Sequence, residues 1–241
     1  MTRRLLPSLA FAVALALLSL AVAEAVTQKR EDDYVRAQAR EALRDAPASD
    51  SDSGAKLLAL RDYVRARVHN VDFPARGRPF LRDTAADILH NGKGRCGEAT
   101  RAFVNLARAE GLDAQRLYLD GLRLHVLAVV RVGDGRRLIF DAFESPYVPE
   151  VEPLERVLED HQEFASYSAL GFRRMWGLRA LPSNAFDLGP INYLLENPHA
   201  LSSLLWFTAS ALALALAEVL RRRTRRASTQ NFKKELSTTT A

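Results

Sequence analysis

The chain has 241 residues, enough for one domain of ordinary size with a good core, and its single cysteine, Cys96, excludes an internal disulfide. The formal charge is +5, from 34 basic and 29 acidic residues, but the excess sits at the ends: nine basic residues lie before position 24 or after position 220, and with Glu218 and Glu235 set aside the middle holds 25 basic against 27 acidic residues. The middle is slightly acidic and has no zinc finger, aromatic-interleaved basic stripe or RNA-binding signature, which excludes a nucleic-acid role.

Residues 5–22 are uncharged and follow Arg3-Arg4. This is the layout of a signal peptide or an N-terminal signal anchor over residues 1–23, with Ala21-Val22-Ala23 as a small-x-small cleavage site before Glu24. Residues 28–48 place Tyr34, Val35, Ala39, Ala42 and Leu43 at helical spacing, and Pro47 to Gly54 reads as a linker. Leu57, Leu60, Tyr63, Val64 and Val68 predict a second helix, followed by an irregular stretch from Asn70 to Arg82. A short helix over Thr84–His90 ends at Asn91-Gly92. From Cys96 to Glu110, Ala99, Phe103, Leu106 and Ala107 fall on one helical face, with Gly111 as the C-cap.

Strands are predicted at Ala114–Leu119, at Leu124–Val132 and over Leu138–Phe140, joined by an Asp120-Gly121 turn and a Gly133-Asp134-Gly135 hairpin. Helices first and then an antiparallel sheet make an α+β domain, bounded at 28–150. Beyond it, 151–200 is an extension of weak pattern. It holds a possible helix at Leu154–His161, an apolar cluster of Phe164, Tyr167, Phe172, Met175, Trp176 and Leu178, and a loop-like run from Phe186 to Pro198. Residues 201–220 have the length and apolar character of a transmembrane helix. Arg221-Arg222-Arg223-Thr224-Arg225-Arg226 opens a basic tail, 221–241, that belongs on the cytoplasmic side. With Arg3-Arg4 on that same side, the middle of the chain is expected outside a bacterial inner membrane, in the periplasm.

A cysteine works as a nucleophile when it reaches the thiolate, and a helix start favours negative charge through its unpaired amides and dipole. Cys96 is placed there, and the amides around Cys96 and Gly97 are suited to hold an oxyanion. His125 begins the second strand, where an imidazole can serve as base and then as acid. Alternation puts His125, Leu127 and Val129 on one face, expected to be the face packed on the Cys96 helix. Asp141 ends the next strand across a short hairpin and would accept the imidazole N–H. Each residue also has a plainer reading: a small buried hydrophobe, a satisfied core histidine, a turn cap. The other histidines, His69, His90, His161 and His199, have no metal-ligand spacing, though His90 lies near the loop before Cys96. No metal or cofactor is expected.

The run Asp87-Ile88-Leu89-His90-Asn91-Gly92-Lys93-Gly94-Arg95-Cys96-Gly97-Glu98-Ala99 resembles the nucleophile motif of the transglutaminase-like (papain-like) superfamily. Phe103 to Ala114 resembles the helix and turn that follow it there. His125 matches the family histidine and Asp141, in Leu138-Ile139-Phe140-Asp141, the family aspartate. Phe140 stands where the family often carries an aromatic residue. The family's further oxyanion donor, upstream of the cysteine, has no match. The resemblance covers roughly residues 55–145 and says nothing of the chain beyond 150.

The resemblance implies a nucleophile cysteine at the start of a central helix packed on an antiparallel sheet. It also implies a Cys96-His125-Asp141 triad acting on amide or ester carbonyls through a thioester. Peptides, proteins or cell-envelope components are the expected substrates. Hydrolysis is preferred, since an amine acceptor would need its own site. The alternatives are a transglutaminase-type cross-linker and an inactive, membrane-tethered peptide-binding or assembly module. A thiol-disulfide enzyme is disfavoured because no second cysteine exists to resolve a mixed disulfide.

Overall fold

The computed structural model describes residues 2–44, 53–71, 83–120, 125–133, 135–143, 152–153, 173–174 and 190–239. The expected Asp120-Gly121 turn lies largely outside the described residues, as do the Leu154–His161 helix and the apolar cluster from Phe164 to Leu178. The described elements are α1 (Thr2–Ala42), α2 (Ser53–Arg67), β1 (His69–Asn70), α3 (Ala85–Asn91), β2 (Lys93–Gly94), α4 (Cys96–Ala109), β3 (Asp113–Asp120), β4 (His125–Arg131), β5 (Arg137–Phe140), β6 (Glu152–Pro153), β7 (Arg173–Arg174), α5 (Pro190–Glu196) and α6 (Pro198–Thr239). They form two compact units, Lys29–Pro198 and the pair Met1–Gln28 with His199–Ala241.

Lys29–Pro198 is an α+β unit. Its sheet runs β6-β5-β4-β3-β7 with every pairing antiparallel. The β3–β4 register sets Ala114 opposite Val130 and Arg116 opposite Ala128, and the β4–β5 register sets Ala128 opposite Phe140. α4 packs on this sheet and is buried from Ala99 to Ala107. Its charged residues fall mainly at its two ends, so the middle can be covered on all sides. α2 covers α4 with Leu57, Leu60 and Val64, and Val35 and Ala39 of α1 join the same core. Phe103 of α4 and Phe140 of β5 stack with ring centroids 5.4 Å apart.

Local chemistry sets the boundaries. Thr84 caps α3 by accepting the Asp87 N–H at 3.1 Å, while the Asp87 carboxylate accepts the Thr84 N–H at 3.0 Å. Gly92 closes that helix in the left-handed region, φ 65°. α4 ends in a Schellman arrangement: the Leu112 N–H reaches the Ala107 carbonyl and the Gly111 N–H the Arg108 carbonyl, with Gly111 at φ 77°.

Three expectations are corrected. The apolar N-terminal stretch and the helix expected from residue 28 are one continuous helix, α1, because no proline or glycine lies between Ser8 and Ala42 to break it. The run from Phe186 to Pro198 is not wholly loop: Pro190, whose fixed φ suits a first helical position, opens α5. The third concerns the face of β4. Gly97 lies against Val126, whose Cγ2 would stand 3.9 Å from a Cβ built there, and Ala128, Val130 and Phe140 belong to the α4 core. The packed face is therefore Val126, Ala128 and Val130, not the set to which alternation assigns His125, Leu127 and Val129. Leu127 and Val129 are buried as well, at 0% and 4% exposure. A strand buried on both faces is apolar throughout, so its alternation does not tell which face meets the helix.

Candidate active site

Cys96 is the first residue of α4 and is half-buried. The approach to it is tight. β1 and β2 pair in parallel, His69 with Lys93 and Asn70 with Gly94, which carries the chain from α3 under the end of α2. A Cβ on Gly94 would lie 2.7 Å from Glu98 Cβ and 3.1 Å from Val68 Cγ1, so only glycine fits without displacement. The Glu98 carboxylate turns back to accept the Arg95 N–H at 3.0 Å, and Arg95 Nε donates to the Val71 carbonyl at 3.3 Å. The first intrahelical bond runs from the Ala99 N–H to the Arg95 carbonyl. The amides of Cys96 and Gly97 therefore belong to the first turn, where a helix provides no acceptor of its own.

The starts of α4 and β4 are fastened together. Thr100 Oγ1 donates to the Val126 carbonyl at 2.9 Å in a buried hydrogen bond, and Gly97 faces the Val126 side chain. His125, the neighbour of Val126, opens β4 and pairs with Leu119 of β3. Asp141 follows the last residue of β5 and is buried, at 3% exposure. Its Oδ1 accepts the Phe143 N–H at 2.9 Å and its carbonyl accepts Arg65 Nε at 3.1 Å from α2. One oxygen of the Asp141 carboxylate thus holds the turn after β5. His90 lies in the last turn of α3 and is exposed. Among the described residues no group of three His, Cys, Asp or Glu side chains could hold a metal ion.

Sequence reasoning missed a buried ionic cluster beside this site. Glu196, the last residue of α5, accepts from Arg116 Nε of β3 at 2.5 Å and from Arg101 Nε of α4 at 3.3 Å. All three are buried. Arg101 Nη1 also donates to the Asp83 carbonyl at 2.6 Å, and Asn105 Nδ2 donates to the Arg101 carbonyl at 3.0 Å. Burial alone would push the Glu196 carboxyl up; Arg116 and Arg101, with the hydrogen bond from Arg116, outweigh it and hold the group below its usual range. The one trace in the sequence is Arg116 itself, two residues from buried Ala114 on the inward face of a strand. Its carboxylate partner lies 80 residues further on, which no local pattern reports.

Residues 40–123 match the family model described as the Transglutaminase-like superfamily core. The match takes in Cys96 and stops before His125 and Asp141. The match and the cysteine-bearing helix on an antiparallel sheet make the middle of the chain similar to the transglutaminase-like superfamily. A crystal structure from Cytophaga hutchinsonii, described as that of a candidate cysteine protease, is similar at a TM-score of 0.40 and 19% identity, covering 51% of this chain and 41% of that one. The chain spans about two fifths of that protein's length, and at this level the likeness carries no argument about activity. No curated protein matches the sequence.

Proposed function

We propose that this protein is a thiol-dependent acyl-transfer enzyme, held at a membrane, that hydrolyses amide bonds in peptides or envelope proteins. Cys96 is the nucleophile, His125 its base and then the acid, and Asp141 the residue that orients the imidazole. The Cys96 thiolate attacks the carbonyl carbon, and the amides of the first turn of α4 receive the oxyanion. The carbon–nitrogen bond breaks as the amine takes a proton from His125, leaving a thioester. Water, deprotonated by His125, then cleaves the thioester and restores the thiol.

The observation that carries this reading is the half-buried Cys96 in the first turn of α4, where the helix amides have no acceptor of their own. The Thr100–Val126 hydrogen bond ties that helix to β4; His125 stands on the alternate position of β4 from Val126, so its service as base requires the strand's first residue to turn toward α4. Membrane attachment draws its support from two helices long and apolar enough to cross a bilayer by length and composition, within Leu6–Ala42 and Pro198–Arg225. A rival reading rests on Asp141: the hydrogen bond from the Phe143 N–H gives its carboxylate a structural task, which suits a binding module that keeps the fold without catalysis.

Because Cys96 is the only cysteine, iodoacetamide labelling of the full-length chain reports that thiol alone. An activated thiolate near neutral pH, slowed about tenfold or more by His125→Ala, is the expected result. A slow thiol with an ordinary pH profile, indifferent to His125→Ala, would select the binding module.

A further inference from the structure

The unit formed by Met1–Gln28 and His199–Ala241 is an antiparallel helical pair held by polar contacts along its length. Ser210 Oγ donates to the Ala14 carbonyl at 2.8 Å and Ser203 Oγ to the Ala21 carbonyl at 2.9 Å. One helical turn further, His199 Nδ1 meets the Glu24 carboxylate, and the Ala200 N–H, at the start of α6 where no intrahelical acceptor exists, donates to Gln28 Oε1 at 3.1 Å. As the α1 partner rises from Ala14 to Ala21 to Gln28, the α6 partner falls from Ser210 to Ser203 to Ala200.

Burial follows the same seam. Ala14, Ala21, Gln28, His199 and Ser210 are all 6% exposed or less. The outward residues are large and apolar: Phe11, Val13 and Leu15 on α1 and Leu205, Phe207 and Leu212 on α6 stand 45% to 68% exposed. Small residues at a helix seam with hydroxyls crossing it, and bulky apolar residues outside, are the packing expected of two helices in lipid, where close approach and interhelical hydrogen bonds replace the hydrophobic effect.

We propose that residues 1–23 are retained in the mature protein as one half of an intramembrane hairpin whose other half is α6, and are not removed as a leader. Three features carry this. The small-x-small site lies inside an unbroken helix, since α1 runs from Thr2 to Ala42. Ala21, which begins that site, is buried against α6 with its carbonyl occupied by Ser203. Cleavage after Ala23 would strip from α6 the two carbonyls its serines reach and leave its seam facing lipid. The antiparallel arrangement also sets Arg3-Arg4 and the run Arg221–Arg226 at the same end of the pair. One hairpin then satisfies both basic flanks with both termini in the cytoplasm. This inference is independent of the chemistry at Cys96 and would stand if the domain proved inert.

The test uses the full-length chain in bacterial membranes, with an epitope at each end and Cys96→Ser as background. Ala14→Cys with Ser210→Cys is oxidised by copper phenanthroline, against Val13→Cys with Leu212→Cys as the outward-facing control. The expected result is one band carrying both epitopes, with an intramolecular crosslink for the first pair and none for the second. N-terminal sequencing of the unsubstituted protein should return the start of α1. A mature N-terminus at Glu24 would overturn the proposal. So would retention of both epitopes with no crosslink, or with a crosslink only between chains.

Discussion

At the residue scale, the approach to Cys96 depends on two glycines used for different reasons. Gly92 has φ 65°, and a Cβ there would also lie 2.9 Å from the Arg67 carbonyl oxygen. Gly94 needs no unusual backbone; it needs space, because Glu98 Cβ and Val68 Cγ1 crowd it. Glu98 is the residue whose carboxylate holds the Arg95 N–H one position before Cys96. Gly94→Ala should therefore cost about 1–3 kcal/mol by overpacking and slow the labelling of Cys96, as read by thermal melting and iodoacetamide kinetics. Unchanged stability and labelling would mean that the strand before Cys96 relaxes freely.

At the element scale, α4 is held by the sheet through Thr100 and Phe103, by α2 and α3 through the shared apolar core, and by α5 through Glu196. The last contact is ionic and buried, and breaking one partner of such a cluster leaves the others desolvated without compensation. Glu196→Gln should destabilise the protein by about 3–5 kcal/mol at neutral pH. The sign with pH follows from the lowered carboxyl. Its contribution is present above the unfolded value, about 4.3 for a glutamate, and is lost as pH falls through the lower folded value. The stability gap between wild type and Glu196→Gln should thus be widest near neutrality and close in acid. Urea denaturation at a series of pH values checks this, and a gap that stays constant into acid would show that Glu196 is not the titrating partner of the two arginines.

At the scale of the whole molecule, the compact unit Lys29–Pro198 runs well past the last long strand. Within it Tyr193 donates to Asp32 at 2.8 Å and Glu196 reaches α4 and β3. Total stabilities of domains are about 5–15 kcal/mol, so a cluster worth several of these decides whether a shortened chain folds. A segment covering 29–198 should melt cooperatively, and one covering 29–150 should not, by calorimetry or near-ultraviolet circular dichroism. Equal cooperativity in both would make α5 an accessory and return the boundary to the end of the β5 region.

The sequence by itself determined the order of α2, α3, α4, β3, β4 and β5, the place of Cys96 at a helix start, the helix stops at Gly92 and Gly111, and the two apolar helices. These are set by nearest neighbours: periodicity of three to four or of two, capping chemistry, and uninterrupted apolar length. It determined neither the face of β4 that meets α4 nor the role of Glu196. Leu127, Val129, Ala128 and Val130 are all buried, so hydrophobicity carries no sign of direction there; only the tertiary packing, with Gly97 against Val126 and with Ala128 and Val130 in the α4 core, gives it. Arg101 and Arg116 share a carboxylate that lies 80 residues beyond Arg116, and only tertiary structure brings such distant charges into one dry site.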